Sequence, residues 1–262
     1  MRCRRQAWRR FTAAAALAAA LAGSRSAQAQ NPNALWQIVH GQCVPDQRQH
    51  GDPKPCAEVS LHDGYAILKD IRGATQFLLI PTDPISGIES GALVAPHAVN
   101  YFAKAWQARS FVENILGHTM PRDTLSLAIN SEFARSQNQL HIHIDCVRAD
   151  VRNALLRESA TLRGRWARLK SPLAGHDYRA LRVTGGSLAD HDPFKLLASG
   201  VPATRAAMGQ YTLAVVGMRF AGNVPGFVIL EDRADPARGD NAGSEELQDH
   251  ACALGHAEHQ TR

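Results

Sequence analysis

The sequence of 262 residues lacks an apolar run of the roughly 18 to 20 residues that a helix needs to cross a bilayer. Its longest candidate, from Thr12 to Ala22, is far shorter. That stretch follows an arginine-rich start and precedes Ala27-Gln28-Ala29, a small-x-small cleavage pattern. We therefore predict that residues 1–29 are a signal peptide cleaved before Gln30, or else a retained N-terminal anchor, and that the protein is exported.

The chain also lacks a true excess of positive charge. Its formal net charge is +5, but the first 29 residues contain no acid and six arginines. These are Arg2, Arg4, Arg5, Arg9, Arg10 and Arg25. Without them, the totals of 29 basic and 24 acidic residues become 23 against 24. The basic character therefore gives no reason to predict a nucleic-acid partner.

No two cysteines have the C-x-x-C spacing that favours a thiolate metal site. Export exposes the four cysteines after the leader to an oxidising compartment, where an even number favours two disulfides. Cys43 and Cys56 flank a loop rich in Pro, Gln and Gly without hydrophobic periodicity, which predicts a bridge between them. By elimination, the second bridge joins Cys146 to Cys252.

The pattern of apolar residues predicts strands separated by helices. Predicted strands span residues 65–71, 77–80, 125–129, 139–146, 178–183, 211–218 and 226–231, and predicted helices span 96–116, 150–162 and 193–198. The order β-β-α-β-β-α indicates an α+β fold with an antiparallel sheet and helices packed on one face. We predict one composite domain over residues 30–262, with a core at about 57–160 and an α/β C-terminal extension at about 161–262. Two subdomains are the alternative.

The string QNQLHIHIDC at residues 137–146 carries the strongest chemical signal. Because successive side chains of a strand point to opposite faces, His141, His143 and Asp145 share one face, opposite an aliphatic face. Three interpretations compete: a surface strand with chance histidines, a metal site formed by these three residues, and nucleophilic catalysis by an imidazole. His97, His118, His176, His191 and His250 are isolated in the sequence, and we expect them to be structural or surface groups.

The same string resembles the final-strand H-φ-H-φ-H signature of the histidine-triad (HIT) superfamily. The resemblance implies that His141 is the first position, that His143 is the nucleophile, and that Asp145 stands where the third histidine usually lies. It further implies that Asn130 and Gln137 contact the phosphate. The hairpin at residues 68–81 is similar to another family segment, which makes Asp70 a ligand of the ribose, whereas Gln76 replaces a histidine of that segment.

Within that superfamily, the strings RSQNQLHIHI at 135–144 and ELQDH at 246–250 are similar to the bacterial CDP-diacylglycerol pyrophosphatases. This resemblance implies a HIT-like fold and hydrolysis of CDP-diacylglycerol to phosphatidate and CMP without a cofactor or metal. It places the protein in the periplasm or at the periplasmic face of the inner membrane, with the membrane surface as the route to substrate. The alternatives are a periplasmic hydrolase of soluble nucleotides, a metal-dependent phosphoesterase using His141, His143 and Asp145, and a non-catalytic binding protein for nucleotides or lipid headgroups.

Overall fold

A computed structural model describes residues 31–202 and 204–259, and the leader predicted at 1–29 lies outside them. The described residues form one nine-stranded sheet in which every strand pair is antiparallel. Its strands are β1 (Glu58–Ser60), β2 (Tyr65–Lys69), β3 (Phe77–Pro81), β4 (Leu125–Ile129), β5 (Ile142–Cys146), β6 (Ala167–Arg168), β7 (Arg179–Thr184), β8 (Tyr211–Phe220) and β9 (Val224–Arg233). Their spatial order is β1-β2-β3-β5-β4-β8-β9-β7-β6.

Seven α-helices surround this sheet within the described part of the chain. They are α1 (Ala34–Ile38), α2 (Val44–His50), α3 (Tyr101–Gln107), α4 (Ser110–Leu116), α5 (Ala149–Glu158), α6 (Pro193–Gly200) and α7 (Ala253–His259). Among the described residues, no helix has the length and apolar character of a membrane span.

The first face of the sheet carries the largest apolar core. Alternate strand residues, such as Ile142 and Ile144 of β5, pack there with Phe102 of α3, Val112 of α4 and Phe194 of α6. All of these side chains are buried, so this face provides the hydrophobic free energy that holds β5 in the middle of the sheet.

Helices also cover the second face, which corrects the prediction of helices on one face only. Leu35 of α1 packs there near the β1 end, in a cluster with Ala66 and Leu68 of β2. Leu155 of α5 packs farther along, in a cluster with Val216 of β8. The strands are apolar on both faces at both ends of the sheet, and a two-sided apolar sheet must be covered twice.

The predicted α+β class is confirmed, and the differences concern one divided helix and several elements that were not predicted. The helix predicted at 96–116 is divided into α3 and α4, and Asn100 caps α3 by accepting a hydrogen bond from the Ala103 amide at 3.0 Å. Residues 34–50, for which no helix was predicted, contain α1, a π-helical turn (Val39–Cys43) and α2. Leu35, Val39 and Cys43 are buried at a spacing of four residues, a helical period that the short segment made hard to detect.

Candidate active site

Strand β5 lies between β3 and β4, and its polar side chains face the second side of the sheet. His143 lies opposite Leu78 of β3 and Ala128 of β4. This position falls between the two apolar clusters of the second face. Small cross-strand neighbours such as Ala128 leave room there for an imidazole, so the fold itself creates a polar gap around the histidines.

The His143 side chain is buried in this gap, with the residue only 5% exposed. Neither ring nitrogen has a hydrogen-bond partner among the described residues. Burial, followed by the nearby His141, lowers the pKa of His143 to about 3. At neutral pH the ring is therefore uncharged, and it keeps the lone pair that a nucleophile needs.

His141 lies directly before β5, and its ring is 4.9 Å from that of His143 between centroids. Its Nδ1 is 2.7 Å from the carbonyl oxygen of Gln139. Because a carbonyl only accepts, Nδ1 carries the proton, and Nε2 of the neutral ring is left as an acceptor. Burial is the largest influence on the pKa of His141 and lowers it.

The side chain of Asp145 is not free, because both of its carboxyl oxygens have partners. It is fully buried, and its Oδ1 accepts hydrogen bonds from the Thr75 hydroxyl at 2.7 Å and the Cys146 amide at 2.9 Å. Its Oδ2 lies 2.8 Å from Nδ1 of His250, which comes from the C-terminal segment. The structure therefore brings a third histidine to the site through Asp145.

His250 links Asp145 to a second carboxylate, Glu245. Its Nε2 lies 3.4 Å from Glu245 Oε1, and Glu245 Oε2 lies 3.6 Å from His143 Nε2. The hydrogen bond to Asp145, followed by that to Glu245, raises the pKa of His250 to about 10. Burial opposes ionisation of Glu245, yet its interactions with His250 and Asn130 hold its pKa below the ordinary value. At neutral pH the site thus combines a neutral His143, a cationic His250 and an ionised Glu245.

The remaining residues selected from the sequence occupy different positions. Asn130 forms two hydrogen bonds with Glu245. Its Nδ2 donates to Oε2 at 3.2 Å, and its Oδ1 accepts from the Glu245 backbone amide at 3.2 Å. Asp70 follows β2 and accepts from the Arg72 amide at 2.9 Å. Its charge also acts on the pKa of His141, after burial, the Gln139 carbonyl and Glu245.

Gln137 and Gln76 differ sharply in how their amides are used. Gln137 accepts from the Leu35 amide at 3.1 Å and donates to the Asn31 carbonyl at 3.0 Å, so it fastens the N-terminal segment. Gln76 is fully buried, and neither amide atom has a partner among the described residues. The donor capacity of Gln76 is therefore available, whereas that of Gln137 is engaged.

The C-terminal segment is fixed beside β5 by several bonds. Gln248 donates to the His143 carbonyl at 3.3 Å, and the Asp249 amide donates to the Cys146 carbonyl at 2.9 Å. Disulfides join Cys146 to Cys252 and Cys43 to Cys56, the two pairs expected from the sequence. The first of these secures His250 at the end of β5.

Sequence reasoning missed Glu245 and His250. The only available signal was the ELQDH string at 246–250, which includes His250 and directly follows Glu245. His141, His143 and Asp145 do not form a group of converging metal donors. Among the described residues, such a group is found only at His176, Asp232 and Asp240.

Comparison with known proteins gives two findings. The model of the CDP-diacylglycerol pyrophosphatase family matches residues 30–256. A CDP-diacylglycerol pyrophosphatase of Yersinia pestis is 45% identical over 224 residues, which cover 86% of this chain and 85% of that protein.

Proposed function

The chain belongs to the CDP-diacylglycerol pyrophosphatase family and hydrolyses CDP-diacylglycerol, and we propose that it does so through a covalent nucleotidyl bond to His143. The observation that carries this proposal is the buried, neutral imidazole of His143 at 3.6 Å from the Glu245 carboxylate. We further propose that the first five strands and their helices are HIT-like, and that the mature protein acts in the periplasm or at the periplasmic face of the inner membrane.

In the first step, a ring nitrogen of His143 attacks the phosphorus attached to cytidine. The nitrogen–phosphorus bond forms as the bond from that phosphorus to the bridging oxygen breaks, and phosphatidate leaves with the electron pair. The ring becomes cationic, and Glu245 stabilises this charge because it is already ionised and held in place by Asn130.

The departing phosphatidate requires little help from a strong acid. A phosphate monoester has a second pKa of about 6, so it leaves as a stable anion near neutral pH. Asp145, fully buried and bonded to Thr75, Cys146 and His250, then serves to position His250. The positive charge of His250 takes the place of the third histidine of the superfamily pattern and offsets the two carboxylates.

In the second step, water attacks the same phosphorus, the nitrogen–phosphorus bond breaks and CMP is released, with the water proton passing to solvent. Glu245 is a poor general base because its pKa is lowered. Its contribution is electrostatic in both steps. His141 Nε2, the available Gln76 amide and Asp70 are the groups we propose for contacts with phosphate and ribose.

The direct test is incubation of the purified mature chain with CDP-diacylglycerol in detergent micelles, with release of CMP and phosphatidate measured by chromatography. Rapid quenching at alkaline pH, where a phosphorus–nitrogen bond survives, followed by peptide mass spectrometry should locate the nucleotide on His143. The exposed His97 gives the matched control: His97→Ala should keep both turnover and the labelled peptide.

The same assay separates the alternatives. Turnover of soluble nucleotide phosphoramidates or dinucleotides, and none of the lipid substrate, would favour the soluble-nucleotide hydrolase. Loss of turnover with chelator and recovery with zinc would favour the metal-dependent phosphoesterase, and substrate binding without any turnover would favour the binding protein. Absence of label on His143 during turnover would reject the covalent mechanism.

A further inference from the structure

A second group of ligand-type side chains lies in the C-terminal half, apart from the catalytic histidines. His176 comes from the turn before β7, Asp232 from β9, and Asp240 from the loop after β9. One donor atom from each lies within 4.8 Å of the other two. The group lines a cleft of about 530 Å³.

Asp232 is the residue that requires an explanation. It is 8% exposed, its Oδ1 accepts from the Arg233 amide at 2.8 Å, and its Oδ2 has no hydrogen-bond partner among the described residues. That buried oxygen lies 3.9 Å from Nδ1 of His176, which is itself 2.7 Å from Oδ2 of Asp240. Two adjacent carboxyl groups must share a proton or hold a cation between them.

The arginines that line the cleft do not supply that cation. Arg168 pairs with Asp177, Arg179 with Glu231, Arg238 with Asp235, and Arg233 donates to the Gln210 side chain. Within the described part of the chain, His176 is the only basic side chain that forms an ion pair with Asp232 or Asp240.

The geometry points to a zinc-type divalent cation bound by Nδ1 of His176 and the Oδ2 atoms of Asp232 and Asp240, and we propose this as a structural metal site of the protein. Tetrahedral zinc with bonds of about 2.0–2.1 Å separates neighbouring donor atoms by about 3.3 Å. The two distances from His176 Nδ1, 2.7 Å and 3.9 Å, lie on either side of that value. Small shifts of these side chains would therefore bring the three donor atoms to tetrahedral positions around the ion, with water as the fourth ligand.

The other nitrogen of His176 also faces a carboxylate, slightly beyond hydrogen-bond distance. Its Nε2 lies 3.7 Å from Oε2 of Glu246, and the Tyr178 hydroxyl donates to Oε1 of Glu246 at 2.9 Å. A shift of a few tenths of an ångström would bring this carboxylate within hydrogen-bond distance, where it would orient the ring with Nδ1 toward the metal. The mixture of imidazole and carboxylates favours zinc or manganese over magnesium and calcium.

The site is also connected to the catalytic group through adjacent residues. Glu246 follows Glu245 in a short 3-10 helix (Ser244–Leu247), and Glu245 contacts His143. Asp240 accepts from the Ala242 amide at 2.8 Å, and the Ala242 carbonyl accepts from Ser131, next to Asn130. The bound ion would therefore hold the segment that presents Glu245, without taking part in the reaction.

The test measures binding directly on the purified mature chain after removal of metal with chelator and dialysis. Calorimetric titration with Zn²⁺ should show one ion per chain, and Zn²⁺ should raise the melting temperature because it binds only the folded state. His176→Gln and Asp232→Asn should each lower the affinity by at least about tenfold, as even outer-shell changes often do. Asp177→Asn is the matched control, because it lines the same cleft but pairs with Arg168.

Circular dichroism of the metal-free variants verifies that they are folded. If Asp232→Asn is unfolded, Asp240→Asn replaces it in the test, because Asp240 lies in a partly exposed loop. His143→Ala should still bind the ion, which separates this site from the catalytic histidines. If the wild type does not bind zinc, the proposal is overturned, and the two carboxyl groups share a proton instead. Unchanged binding in the His176 and Asp232 variants, or tighter binding of Ca²⁺ than Zn²⁺, would overturn it as well.

Discussion

His143 and His250 contact the same carboxylate, Glu245, yet their surroundings drive their pKa values in opposite directions. Burial lowers the pKa of His143 to about 3, whereas hydrogen bonds to Asp145 and Glu245 raise that of His250 to about 10. One residue type therefore supplies both a neutral imidazole, the nucleophile of the proposed mechanism, and a fixed positive charge. Such divergence within one site is typical of catalytic groups.

We expect His143→Ala to abolish turnover and His141→Ala to leave a reduced, measurable rate. In the proposed mechanism only His143 forms the bond to phosphorus, while His141 contributes a polar contact that lowers the activation barrier by a smaller amount. Initial rates of CMP release from detergent-dispersed substrate measure both. Full activity in the His143 variant, with folding verified by circular dichroism, would rule out the mechanism.

The charge of His250 predicts how stability depends on pH. Its folded pKa of about 10 exceeds the ordinary value of 6.5, so its contribution is complete below pH 6.5 and is lost as the pH rises through 10. The difference in melting temperature between wild type and His250→Gln should therefore shrink between those two pH values. A difference that stays constant, or grows, would show that His250 is not held as a cation.

The sequence was sufficient to predict that the polar side chains of β5 share the face opposite Ile142 and Ile144, because alternation along a strand is local information. It was insufficient for Glu245 and His250, since His250 meets Asp145 across a separation of 105 residues. The role of Asp145 depended on the same contact. The sequence placed Asp145 at the position of the third histidine of the superfamily pattern, whereas in the structure Asp145 forms a hydrogen bond with a histidine, His250.

Among the elements around the site, the turn between β2 and β3 presents an unusual surface. Ile71 is 94% exposed, and Arg72 acts on the pKa of His143. The same turn donates from the Ala74 amide to the His250 carbonyl at 3.2 Å. An exposed apolar side chain beside a cation at the edge of the site suits contact with a lipid surface.

We therefore expect Ile71→Asp to lower turnover on lipid vesicles severalfold, because the charge opposes contact with the membrane. Turnover of the same substrate in detergent micelles should change much less. The same substitution at Ile115 of α4 provides the control, because Ile115 is 47% exposed on a helix that packs on the opposite face of the sheet. If the Ile71 variant loses equal turnover on vesicles and on micelles, the turn does not contact the membrane.

The disulfide between Cys146 and Cys252 joins β5 to the C-terminal segment across 106 residues. Closing a loop of this length stabilises a folded chain by up to about 4.7 kcal/mol in the chain-entropy account, against about 3 kcal/mol for a loop of 15 residues. The bond also holds the segment that carries His250.

Cys252→Ser should consequently lower both the melting temperature and the turnover. Cys56→Ser, which opens the loop of 13 residues, should lower turnover less because that loop does not hold catalytic groups. Thermal melts and initial rates for both variants test this contrast, and peptide mapping without reduction verifies the pairing. Equal losses of turnover in the two variants would contradict the role given to the tail.

At the scale of the whole molecule, the sequence predicted where most strands lie along the chain better than it predicted their environment. The C-terminal half extends the same sheet, as expected, because β8 pairs with β4 along residues Ser126 to Ile129. The second apolar face was not predicted, since short buried runs such as FLLIP at 77–81 do not indicate how many layers cover them. Their coverage depends on the partner elements that the chain brings to each face.

This continuity predicts that a fragment of residues 30–160 will not fold or turn over substrate by itself. Removing β8 leaves β4 as an unpaired edge, and removing β8 and β9 takes Leu213, Val215, Phe227 and Ile229 from the first-face core. The fragment also loses Glu245 and His250, which set the charge around His143. Circular dichroism should show no cooperative thermal transition, and proteolysis should be rapid, whereas the intact mature chain should melt cooperatively.

Adding a second fragment of residues 161–262 during refolding should restore part of the transition together with turnover, because the missing strand and the missing charges return with the same segment. Cooperative unfolding and turnover by the first fragment alone would instead show that the two halves are independent.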